Sequence, residues 1–345
     1  MCFPKVLNRE KAMTKKNFTS AVLTASAIAT MLALAACGGG GGSSSTTSSP
    51  PPPVTNTQTA TSANVTTPQY AAGSAQLAAF TLLNQERQQC GFATLTENAT
   101  LDAAAQAHAT YMGDNGGLIT DTEVSGSTGF SGVTYADRAQ NLGYPSSVFV
   151  SGVSGGYFTN ATLTPTQYGQ QLVYGWLSGV YHIAIGVWPI NEVGVGWNQT
   201  TSSGFPEIQA SLSISNLLPG SGNGPLTFPC QGTTGVAYSS NGETPTPPNT
   251  SGNWGTPIAV AGLNQTDTIV LQSGTITPTS GGTVITLQVL DSANDPNKLL
   301  PTFEGVAYPA TPLSPNTTYS VTINGTDNGT AFSRDFTFTT GNVVG

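Results

Sequence analysis

Apolar positions recur at helical spacing from residue 74 onward. In "SAQLAAFTLLNQERQQCG" (74–91), Leu77, Phe80 and Leu83 fall near one face, and Gly91 supplies a C-terminal stop. Asn98 is placed to cap a second helix, in which Leu101, Ala104, Ala105, His108 and Met112 recur at three- and four-residue steps until Gly113 or the Asn115-Gly116-Gly117 run. Thr134 caps a shorter helix through Asp137, Arg138 and Ala139 to Gly143. Thr164 followed by Pro165 opens a fourth, with Tyr168, Leu172, Gly175 and Trp176 toward one side. The period then changes. "EVGVGW" (192–197) is glycine-broken, and Ile208, Ala210, Leu212 and Ile214 alternate with polar residues, which predicts strands. Interspersed helices and strands predict one α+β domain over Ser74–Gln231.

Residues 232–255, "GTTGVAYSSNGETPTPPNTSGNWG", show no period and are expected to be a linker. Beyond it, "TPIAVAG", "TIVLQSGTIT", "GGTVITLQVLD", "TTYSVTING" and "SRDFTFTTG" are short alternating segments split by turn residues. Tyr319, Val321 and Ile323 share a face, while Asn324-Gly325 and Asn328-Gly329 read as turns. This predicts a small all-β sandwich over 256–341. The stretch "LSPNTTYSVTINGTDNG…FTFTTG" resembles bacterial immunoglobulin-like modules of exported proteins, which space or bind.

The amino-terminal end has a different character. Lys15 and Lys16 precede the apolar "FTSAVLTASAIATMLALAA", and Leu34-Ala35-Ala36-Cys37 is similar to the cleavage site of bacterial lipoprotein signals. Residues 1–36 are therefore expected to be removed and Cys37 lipidated, giving an exported protein held at a membrane. Gly38 in place of an aspartate favours the outer membrane or cell surface. Residues 37–73 then form the lipidated cysteine and a Gly/Ser/Thr/Pro tether with too little apolar surface to order itself. In that oxidising compartment Cys90 and Cys230 remain as an even pair, expected to form one disulfide. The net charge is −8, and beyond Cys37 the only basic residues are Arg87, Arg138, Lys298 and Arg334. Such a surface offers phosphate backbones nothing, and nucleic-acid binding is excluded.

Several phrases of 74–231 together resemble the CAP superfamily, also called SCP-like or the cysteine-rich secretory protein family. "LLNQERQQCGFATLTENATLDAAAQAHATYM" is similar to its opening helices, "GVTYADRAQNLGY" to the bacterial middle segment, and "VYHIAIGVWPINEVGVGW" (180–197) to the bacterial closing motif. The resemblance implies an α-β-α sandwich with a shallow cleft. It also implies two histidines and two acidic residues there, which in some members hold a divalent metal such as zinc. Here His182 matches the second histidine. At the first, Asp121 or a neighbour stands, with Glu123 two residues on. Val148, Phe149 and Val150 occupy one acidic position and Gly179 the other.

His182 with Asp121 or Glu123 thus makes an incomplete set for a metal that wants three or four donors. His182 is either a vestigial cleft residue or a ligand or base. His108, on an apolar stripe, reads as a core histidine. Glu192 reads as loop support, with a partner role to His182 as the other option, and Gly194 and Gly196 as permitting close packing. Gly152-Val-Ser154-Gly-Gly156 fits G-x-S-x-G, but no helix follows and no acid lies between Ser154 and His182, so a serine hydrolase is excluded. The expectation is an envelope lipoprotein acting in binding or adhesion, toward a small apolar ligand or a surface partner, with a degenerate cleft. The alternative is a metal-assisted hydrolase using His182 with Asp121 or Glu123.

Overall fold

The computed structural model describes residues 63–220, 222–250 and 252–345. The expected leader, Cys37 and most of the expected tether lie outside the described residues. The first elements are α1 (Ala75–Gln89), β1 (Thr96–Glu97), α2 (Ala99–Asp114), α3 (Tyr135–Asn141), β2 (Val150–Phe158), α4 (Pro165–Ser178), α5 (Ala184–Val187), β3 (Ile190–Ser202) and β4 (Phe205–Leu217). The caps sit where the sequence places them. Asn98 accepts from the N–H groups of Thr100 and Leu101, and Thr134 and Thr164 form capping boxes with Asp137 and Gln167.

The four strands form one sheet in the order β1-β3-β4-β2, in which β3 and β2 run antiparallel to β4. α2 packs on one face of β3 and β4, while α1 and α4 pack on each other and on β3 and β2. Gly194 and Gly196 make the first contact close: a Cβ on either would overlap the backbone of α2, at Leu101 or Ala105. On β4 the apolar set Ile208, Ala210, Leu212 and Ile214 joins a core with Leu83, Leu172 and Trp176. The alternating polar set Gln209, Ser211, Ser213 and Ser215 is buried as well, because helices cover both faces. Arg87 of α1 is fully buried and closes the far side, donating to the carbonyls of Ala93, Ile185, Trp188 and Ile190. Burial pushes its guanidinium down to about 9.

The remaining strands are β5 (Leu226–Phe228), β6 (Thr234–Val236), β7 (Ile258–Ala261), β8 (Ile269–Pro278), β9 (Ile285–Thr286), β10 (Gln288–Asp291), β11 (Glu304–Tyr308), β12 (Thr318–Asp327) and β13 (Thr330–Thr340). They form a four-stranded sheet, β10-β11-β7-β5, and a five-stranded sheet, β6-β13-β12-β8-β9. The whole is α+β. Asn328-Gly329 is the two-residue turn of the β12–β13 hairpin, both residues having positive φ. Asn324-Gly325 is not a turn. It lies inside β12 at a register shift against β8, where Gly325 admits the carbonyl of Val270.

Two segments differ from expectation for the same reason, tertiary pairing that no local period reveals. Residues 232–255, expected as a linker, supply β6 to the second sheet. They also supply Trp254, which is fully buried and donates from Nε1 to the carbonyl of Ser178 at 2.9 Å. β5, inside the range assigned to the first domain, pairs with β7. The expected disulfide is present: Cys90 and Cys230 are bonded, with Cα atoms 5.4 Å apart. It joins the end of α1 to the segment between β5 and β6.

Candidate functional site

β2 is an edge strand, and a cleft of about 940 Å³ runs along it. Residues 119–121 form one wall, and α4 with residues 241–244 the other. Asp121 and His182 both line this cleft. Asp121 is anchored through Oδ1, which accepts from the Tyr135 hydroxyl at 2.7 Å and the Ser154 N–H at 3.0 Å. Ser154 Oγ lies 2.7 Å from the same Tyr135 hydroxyl. The tyrosine proton goes to Asp121, so the serine donates in turn. Burial, reinforced by the Asp121 charge, pushes the Tyr135 phenol well above its ordinary range.

His182 follows the end of α4 and has a carboxylate partner that the sequence did not suggest. Its Nδ1 stands 3.0 Å from Glu243 Oε2. The Glu243 side chain is covered and also accepts the N–H groups of Val180 (2.6 Å), Tyr181 (3.2 Å) and His182 (3.3 Å). Nδ1–H is thereby committed to the carboxylate, and Nε2 is left for the cleft. Burial disfavours the charged imidazole, but the hydrogen bond and charge of Glu243, with Asp121 adding to them, outweigh it and raise His182 above its ordinary value. Gly179 makes room for this arrangement: a Cβ there would stand 2.6 Å from Glu243 Oε2. A carboxylate from residue 243 thus fills the space beside position 179. The one available sequence signal was that Glu243 is the only charged residue in 232–255.

The other candidates lie elsewhere. Glu123 is buried against His108, whose Nδ1 is 2.9 Å from Glu123 Oε1 and whose Nε2 donates to the Thr120 carbonyl at 2.7 Å. Glu123 Oε2 accepts the N–H groups of Ser131 (2.6 Å) and Gly132 (3.2 Å), so it organises the loop before α3. Burial and the nearby Arg138 charge hold His108 below its ordinary value. Glu192 is fully buried in a network with Asn64, Asn98, Tyr144 and Asn216, away from His182. Among residues 148–150, Val148 and Val150 pack against the Leu101–Tyr144 cluster and Phe149 meets Trp188. None of the three lines the cleft.

This donor set does not fit a metal. His182 Nε2 and the second oxygen of Asp121 are two donors where a divalent ion such as zinc wants three or four. Among the described residues no group of three His, Cys, Asp or Glu side chains is placed to hold one. Ser154 sits in mid-strand with its hydroxyl committed to Tyr135, not at the strand-to-helix elbow a nucleophilic serine needs. The cleft presents a fixed carboxylate, an oriented imidazole, and the Nε1–H of Trp176, which is buried with no partner among the described residues and borders the same space.

No curated protein matches the chain. Residues 80–210, from within α1 to the middle of β4, match the family model of CAP, the cysteine-rich secretory protein family, and over this portion the chain is similar to that family.

Proposed function

We propose that the protein is an exported, lipid-anchored module of the cell envelope that binds a ligand, a small apolar molecule or a segment of a surface partner, in the cleft of its CAP domain. The observation that carries this reading is the composition of the cleft. Asp121, His182 and the unpartnered Trp176 N–H stand ready to make contacts, and an apolar rim of Phe158 and Ile119 surrounds them. Metal-assisted hydrolysis is not favoured, since among the described residues only two donors are at hand. The leader ending before Cys37 and the tether after it support anchorage. The β strands beyond the CAP domain, read as an immunoglobulin-like sandwich, extend the module.

A photo-crosslinking residue at Phe158, on the rim, tests the binding claim in intact envelopes. The expected result is an adduct with an envelope component that is lost on Asp121→Lys. Equal labelling from Phe158 and from Val284, exposed between β8 and β9, would contradict it.

A further inference from the structure

We propose that the occupant of this cleft is an extended peptide segment, basic or neutral at its centre, that adds as a strand along the free edge of β2. The inference rests on the cleft being a binding site and names what fills it.

The backbone of β2 carries the argument. In an antiparallel strand, successive residues turn their N–H and C=O groups alternately toward the neighbour and away from it. Just after β2, the Thr159 N–H bonds Pro206 on the β4 side. The Ser154 N–H points the other way, to Asp121. Ser154, Gly156 and Phe158 therefore share one phase, and their backbone groups face away from β4. All three residues line the cleft, and among the described strands β4 is the only neighbour of β2. Asp121 stands where the carbonyl of an added strand would accept. Gly156 and Phe158 continue the ladder at a spacing of about 6.8 Å with no strand opposite.

Edge strands are usually blunted by lysine, proline or inward-facing charge. β2 reads "VSGVSGGYF" and has none of these. The cleft also has a sign: among the described residues its charged side chains are Asp121, Glu243 and His182, with no lysine or arginine. An acidic segment would be repelled and a basic one drawn in. Apolar side chains projecting from an added strand meet Phe158 and Phe205, whose rings are edge-to-face at 5.7 Å, and the Trp176 N–H can donate to a polar atom of the occupant. Backbone pairing supplies affinity in such additions, and the flanking pockets supply selectivity.

The test is selection of random heptapeptides on the full chain by display, followed by single N-methylation of each amide in an enriched peptide. Strand addition predicts losses of about tenfold at alternate amides, the scale of one hydrogen bond, with the intervening amides tolerant. It also predicts that a central lysine exchanged for glutamate weakens binding, and that Phe158→Pro weakens it far more than Phe158→Ala. Uniform tolerance of N-methylation, or enrichment of no peptide, overturns the proposal. Because the methylated peptides are tried on the unaltered chain, a Phe158→Pro chain that fails to fold does not decide the matter. If the Phe158 crosslinker captures a lipid or a glycan and no peptide competes, the binding-site reading stands and the strand addition falls.

Discussion

His182 Nδ1 lies 3.0 Å from the carboxylate of Glu243, a residue 61 positions further along whose oxygens also hold the N–H groups of residues 180–182. The pair joins the end of α4 to the stretch between β6 and β7, and it decides which ring nitrogen the cleft sees.

The pairing predicts a pH dependence. Because the folded histidine is raised, its contribution to stability is fully present below the ordinary histidine value of about 6.5 and fades as pH rises through the folded one. Glu243→Gln is expected to lower the His182 titration midpoint, read by NMR of the imidazole. It should cost about 1–2 kcal/mol in acid and less above neutrality. A midpoint unmoved by the substitution would remove Glu243 as the orienting group.

A second buried acid runs in the opposite sense to most carboxylates. Glu304 of β11 accepts from Trp188 Nε1 at 2.6 Å, its other oxygen has no partner among the described residues, and burial pushes it up to about 8. The folded state thus holds the proton that the unfolded chain releases near 4.5, and stability is lost as pH rises from there to about 8. Glu304→Gln keeps the shape and removes the charge. Thermal melts are expected to show the variant close to the parent at pH 5 and more stable at pH 8.5. Parallel pH profiles would contradict this.

Arg87 is held by carbonyls rather than by an acid. Arg87→Met leaves four acceptors in a dry interior, and the expected cost in urea unfolding is more than about 3 kcal/mol. A loss below about 1 kcal/mol would mean that the carbonyls find other partners.

Two glycines should respond in opposite directions. Gly196→Ala drives a methyl into the α2 backbone and is expected to cost about 1–3 kcal/mol or more. Gly175, within α4, meets nothing closer than 3.7 Å, and Gly175→Ala should be neutral or stabilising by up to about 1 kcal/mol, both read from denaturant midpoints.

Much of the amino-terminal α+β part was legible because its signals are local. The caps Asn98, Thr134 and Thr164, the alternation of Ile208 to Ile214, and the close packing at Gly194 and Gly196 all follow from nearby residues. β2 was not legible, since "VSGVSGGYF" has three glycines and no clean apolar period, and its strand character comes from pairing with β4. Trp254 and Glu243 were hidden for a related reason. Each acts on a residue more than sixty positions earlier, inside a stretch whose Pro, Gly and Asn content reads as linker. Of the candidate residues, His182 and Asp121 line one space, while Glu123 is held against His108.

Anchorage is open to a simple check. Cys37→Ser is expected to move the protein from the membrane pellet to the soluble fraction, since the attached acyl chains would carry the attachment. Retention in the pellet would contradict the lipoprotein reading.

The most direct measurement of the central claim is amide hydrogen exchange of the full chain, with and without an envelope extract. The account predicts slower exchange at Gly156 and Phe158, together with residues 119–121 and 241–244, when the ligand is present. Unchanged exchange at the β2 edge and both cleft walls, with protection elsewhere on the chain, would contradict it.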